Sequence, residues 1–153
     1  MRVQIGAALS ANRRGKTQPD RGTGVGRAVF SPSDVRREDR RRNRVQPDVF
    51  VVRVVDGKRP AYPFDQSDLL LVVEVESPST ARYDYQKKRM LYLNAGVREY
   101  WIVSPKARTV SRWRRAEDPG EVLTQEIRWH PLGATNPLII DVPASFAEAL
   151  GGP

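Results

Sequence analysis

Cysteine is absent from all 153 residues. That excludes disulfides and thiolate metal sites, and it fits a cytoplasmic protein. Histidine occurs once, as His130, apart from the acidic pattern described below, and reads as a surface or core residue. Long apolar runs are missing too: no stretch approaches the roughly eighteen residues of a membrane span, so no membrane partner is expected. The opening segment "MRVQIGAALSANRR" carries a short apolar patch behind a single charge, which reads as an amphipathic helix over residues 3 to 14 rather than a signal peptide. No internal repeat is visible.

What is abundant is positive charge. Lys and Arg number 26 against 18 acids, giving a net charge of +8 and a pI near 10.3. Such a balance favours polyanionic partners, nucleic acid foremost. The excess is almost all arginine, so plain surface solubility is the competing explanation. The densest run, "RREDRRRNR" over 36–44, reads either as a solvated hairpin tip or as a grip on backbone phosphate. "GTGVG" at 22–26 resembles a phosphate cradle only superficially, since no lysine–serine pair follows it.

The length and the 39% hydrophobic content suit one domain over residues 1–153, with residues 1–27 as helix and loop. A short strand and turn are expected in "RAVFSPSDV", and a strand after Pro47 in "VQPDVFVVRVV". The turn-rich "DGKRPAYPFDQSD" leads to "LLLVVEVE", a strand buried on both faces. "SPSTARYDYQKKRMLYLNAGV" has a helix start and stop. "REYWIVS" is another buried strand. "RTVSRWRR" reads as a strand with outward Arg and inward Val and Trp, and "EVLTQEIRW" continues the antiparallel trend. "PLIIDVPASFAEAL" supplies a last strand and a terminal helix. The expected fold is therefore a mixed α/β or α+β domain around one central sheet.

The chemistry sits at the end of the most hydrophobic strand. Glu74 and Glu76 are two apart and point to one side. If the strands around 48–55 and 69–76 pair antiparallel, Asp48 at the start of one lies beside Glu74 at the end of the other. Carboxylates converging there make an oxygen-rich site suited to Mg²⁺ or Mn²⁺. On the following helix, Asp84, Lys88, Leu91 and Ala95 share a face, flanked by Tyr85 and Tyr92. Lys88 thus lies within the core-facing stripe and needs an anion, which the Glu74/Glu76 tip offers. Met90 and Leu93 fall towards the far side and need another partner. Plainer readings stand beside this one: Asp84 and Lys88 as an ordinary i,i+4 pair worth a few tenths of a kcal/mol, and Glu76 as a cap for the helix or its serine-rich loop.

Taken in order, "QPDVFVV", "LLLVVEVESPST", Asp84-x-x-x-Lys88-x-x-x-Tyr92 and "GVREYWIV" resemble the Uma family of bacterial restriction endonucleases, within the PD-(D/E)XK nuclease superfamily. The resemblance covers roughly residues 28 to 115. It implies a restriction-endonuclease-like central mixed sheet flanked by helices, and metal-dependent cleavage of phosphodiester bonds in DNA. It further implies Asp48 and Glu74 as metal ligands, and Lys88 as the catalytic lysine where position 76 holds glutamate. Lys88 would orient the attacking water or stabilise the pentavalent charge. Glu76 would accept a proton, assist a second metal or pair with Lys88. Cutting both strands would favour a homodimer.

One departure is that superfamily nucleases often draw a further ligand from a glutamate on the first helix. Residues 1 to 30 contain no glutamate and only Asp20 as an acid. The expectation is then a chain that begins late, or one that lacks a ligand. The competing functional reading is a catalytically inactive domain of the same fold that binds nucleic acid or another partner.

Overall fold

The computed structural model describes residues 47–53, 68–131 and 134–151. The expected helix over 3–14, the "GTGVG" loop, the strand in 27–35, the arginine-rich run over 36–44 and the turn-rich connection lie outside the described residues, as does the question of an N-terminal ligand.

Five strands form a mixed sheet in the order β1 (Val49–Val52), β2 (Leu69–Val75), β3 (Glu99–Ser104), β4 (Thr109–Trp113) and β5 (Glu121–Leu123). The chain is thus a mixed α+β fold. β1 and β2 run antiparallel, as expected from the connection between them. β2 and β3 are parallel, and the later pairs are antiparallel. A parallel pair needs a crossover, and the segment between β2 and β3 supplies it as a helix lying on one face. This site helix has three parts: α-helical Ala81–Tyr83, π-helical Asp84–Lys88 and α-helical Arg89–Asn94. Its first turn is closed by the Ser77 carbonyl, which accepts from Thr80 and Ala81 N–H. No side chain caps it, so Glu76 is not the cap.

The aliphatic run of β2 is explained by cover on both sides. Phe50, Val72, Tyr92, Tyr100, Ile102 and Trp113 pack together under the site helix. Val49, Val73, Trp101, Val103 and Val110 pack on the other face, against Ile127, Ile140 and Phe146. Those last residues come from a two-stranded ribbon, β6 (Glu126–Trp129) and β7 (Leu138–Asp141), and from the terminal helix Val142–Leu150. Asp141 begins that helix, its side chain accepting from Ala144 N–H.

Two expectations need correction. "EVLTQEIRW" is not one strand: it breaks after Leu123, and Glu126–Trp129 pairs with β7 in a separate sheet. Nor does β4 have a wet face carrying outward arginines. Arg112 is buried, ion-paired to Glu121 of β5, and its Nη1 donates to the Arg128 carbonyl of β6 at 3.2 Å. Because the ribbon covers that face, the guanidinium joins the two sheets instead of meeting water. Leu93 needs no distant partner either, for it is half-buried against the helix-side core, whereas Met90 is exposed.

Candidate active site

Strand register builds the site. Val49 pairs with Val73 and Phe50 with Val72, so one further step sets Asp48 opposite Glu74 on the helix-facing side. The pairing is closed by a side chain: Val75 N–H donates to Asp48 Oδ2 at 2.8 Å. Glu74 is 1% exposed. Glu76, beyond the end of β2, is half-buried, and its N–H donates to the Val103 carbonyl.

The site helix brings the cation. Lys88 Nζ donates to Glu74 Oε2 at 3.0 Å and stands 2.9 Å from Asp84 Oδ1. The second contact is ionic, its angle too poor to satisfy Asp84 Oδ1 as a hydrogen-bond acceptor. The ammonium therefore serves both alternatives offered by the sequence, the pairing across to the sheet and the pairing within the helix. Among the described residues it is not shared with Glu76.

The π-helical segment adds Tyr92 to the same side. At about 100° per residue, positions 84 and 92 of an ideal α-helix point some 80° apart. A π-turn takes in one more residue per hydrogen-bonded ring, and Arg89 N–H accordingly reaches back to the Asp84 carbonyl. Asp84, Lys88 and Tyr92 then share the sheet-facing side, with Asp84 and Tyr92 fully buried. Leu91 and Ala95, placed on that face by an α-helical count, are only half-buried. The neighbouring cations turn aside: Lys87 lies over the Tyr83 ring and Arg89 over the Trp113 ring, at 5.9 and 5.3 Å. Tyr92 is the site residue that helical spacing undervalued, set at the flank of the stripe rather than on it.

Electrostatically the group is unbalanced. Among the described residues, the carboxyl groups of Asp48, Glu74 and Asp84 gather with one ammonium, that of Lys88. Burial is the main reason that the Glu74 carboxyl is pushed up to about 8; Lys88 opposes the rise, while Asp48 and Asp84 add to it. For Lys88, burial works downwards, but the charges of Glu74 and Asp84 outweigh it and its pKa is raised. Lys88 is a firm cation beside an acid that resists ionising.

A hard divalent cation fits this environment. Each carboxylate is anchored through one oxygen, Asp48 by a backbone N–H and Glu74 by Lys88. Glu74 Oε1 is buried with no hydrogen-bond partner among the described residues. Among the described residues no group of three or more acids or histidines is arranged to hold a metal. Two carboxylates completed by water and substrate oxygens are the usual provision for Mg²⁺. His130 takes no part: it is exposed, Nε2 lies 2.8 Å from the Ala134 carbonyl, and with Arg98, Arg114 and Trp129 it lines a separate cavity of about 270 Å³. No described helix is long and apolar enough to cross a membrane.

Comparison with curated proteins finds no match. Among solved structures, the chain is similar to a "putative nuclease" of DUF820 from Anabaena variabilis ATCC 29413, at 17% identity and a TM-score of 0.48. The likeness covers 69% of this chain and 61% of that one. The profile of the Uma2 family, described as "putative restriction endonuclease", matches residues 5–146. That span takes in every described strand, the site helix and most of the terminal helix, and the chain belongs to the Uma2 family.

Proposed function

We propose that this domain is a nuclease that hydrolyses phosphodiester bonds in DNA with Mg²⁺ or Mn²⁺ as cofactor. The observation that carries the reading is the convergence of Asp48, Glu74 and Lys88, from two strands and a helix, at one end of β2. Asp48 and Glu74 would hold the ion through the oxygens left by their anchoring bonds. When bound, the ion supplies Lewis-acid polarisation of a phosphoryl oxygen and acidifies a water.

The chain's own groups do the rest. Displacement at phosphorus is largely a matter of position and charge. Lys88, held on two sides, presents a fixed ammonium that stabilises the charge gathering on the phosphoryl oxygens and orients the attacking water. Asp84 keeps that ammonium in place. Glu76, half-buried beyond the strand end, is the acid assigned to take the proton outward. The net charge of +8 attracts a polyanion to the domain.

Plasmid nicking with each divalent ion tests this. Wild type should cut, while Asp48→Ala and Lys88→Ala should lose at least a hundredfold in rate. Equal cutting by all three proteins would remove the assignment. DNA binding in EDTA with steep salt dependence, and no cleavage with any metal, would instead mark a binding domain of the same fold.

A further inference from the structure

Five buried side-chain atoms lack hydrogen-bond partners among the described residues: Glu74 Oε1, Asp84 Oδ1, Arg89 Nε, Trp113 Nε1 and the Tyr92 hydroxyl. Asp84 Oδ1 has the Lys88 ammonium beside it, and Arg89 lies over the Trp113 ring, which leaves Glu74 Oε1 and the Tyr92 hydroxyl. Tyr92 is 0% exposed and packs with Phe50, Val72 and Ile102. Its ring stacks on Tyr100 at 5.8 Å between centroids. The two stacked phenols differ in one respect. Tyr100 donates its hydroxyl proton to the Asp84 carbonyl at 3.1 Å, whereas Tyr92 donates to nothing described. A phenylalanine would fill the same apolar space without stranding an oxygen, and a stranded buried hydroxyl is unfavourable. The hydroxyl at this position therefore calls for a partner.

Its direction indicates which. Tyr92 follows Lys88 by four residues on the sheet-facing side, and helical side chains lean towards the helix N-terminus, in this case towards Lys88 and Glu74. Burial, and after it the charge of Glu74 ahead of every other charged neighbour, pushes the phenol's pKa up. It keeps its proton and remains a donor. The free oxygen of Glu74 likewise lacks a partner among the described residues.

We propose that Tyr92 is a positioning residue of this site: its hydroxyl donates to one bound water that bridges it to Glu74 Oε1 and so fixes the direction in which that carboxyl group presents its free oxygen. Lys88 then holds one oxygen of Glu74 and Tyr92 steers the other. The inference deepens the nuclease reading and rests on it only for the effect on metal and cleavage.

A double-mutant cycle on thermal unfolding in EDTA, with wild type, Tyr92→Phe, Glu74→Leu and the double variant, tests the link to Glu74. Tyr92→Phe should lower the midpoint by about 2–4 °C in the wild-type background and leave it unchanged in the Glu74→Leu background. If Glu74→Leu fails to fold, Glu74→Gln takes its place. Calorimetric titration with Mn²⁺ should show at least threefold weaker binding by Tyr92→Phe than by wild type, which a purely structural role would not produce. Equal midpoint shifts in the two backgrounds, a higher midpoint for Tyr92→Phe alone, or unchanged Mn²⁺ affinity would each overturn the proposal. A wild type that takes up no Mn²⁺ removes the nuclease reading instead, and the cycle alone then decides whether Tyr92 holds Glu74.

Discussion

Lys88 Nζ lies 3.0 Å from Glu74 Oε2 although fourteen positions of sequence separate them, and the same nitrogen lies 2.9 Å from Asp84 within its own helix. One ammonium thus links the crossover helix to the tip of the central strand. Removing one partner of a buried ion group exposes the others to an unrelieved charge, at a cost of about 3–5 kcal/mol. Lys88→Ala should therefore lower the thermal midpoint by roughly 6–15 °C, read by circular dichroism. Millimolar Mn²⁺ should recover part of that loss, because it supplies the missing positive charge. A variant as stable as wild type in EDTA would show that the pairing contributes little.

Asp84→Asn keeps the side chain's shape and removes one of the two charges that hold Lys88. The fold should survive with a small change in midpoint, while single-turnover cleavage falls about tenfold as the ammonium loses its fixed place. Full activity in this variant would reduce Asp84 to a helix-surface partner that happens to be buried.

The pH response of the metal-free protein follows from Glu74. Its carboxyl ionises near 4.5 in the unfolded chain and is pushed up to about 8 in the fold, chiefly by burial. Between those values the folded protein keeps a proton that the unfolded chain has lost, so stability falls as pH rises. The contribution is whole below about pH 4.5 and is lost through pH 8, with a ceiling on the order of 5 kcal/mol at about 1.4 kcal/mol per unit. The contribution of Lys88, whose pKa is raised from 10.5, stays intact throughout that window. Bound Mn²⁺ requires the ionised carboxylate, so stabilisation by the metal should grow from pH 5 to pH 8. Melting curves at both pH values, with EDTA and with Mn²⁺, measure both trends.

Gly120 gives a test of the fold apart from the chemistry. Its φ is +85°, and a Cβ there would come within 2.6 Å of Trp113 Cε2. Gly120→Ala meets both a disfavoured backbone and a large side chain packed in the core, and should cost about 2 kcal/mol or more. Calorimetry should show a lower midpoint, while the metal affinity of the remaining folded protein is unchanged.

The sequence made the site's outline readable because β2 announces itself. An aliphatic run ending in Glu74 reads as a doubly covered strand, and antiparallel pairing with the strand after Pro47 places Asp48 beside it. Lys88 is legible for a similar reason, as a cation on a stripe that faces the core. What escaped depends on contacts between distant segments. Arg112 has the spacing of a solvated strand position, and only the ribbon folded over that face buries it. The division of 121–129 between two sheets follows from the same packing. Tyr92 falls to the flank of that stripe because a count at 100° per residue assumes α-helix throughout, and the π-turn has no strong signature in residue type.

Asp48 is fastened by the backbone of β2, through Val75 N–H, while it stands at the start of β1, a strand only four residues long. The ends of a short strand open at temperatures that leave a sheet's centre intact. Once Val49 parts from Val73, the aspartate loses its bearing on Glu74 although the core beneath the site helix stays packed. On warming, this protein should stop working while it still looks native.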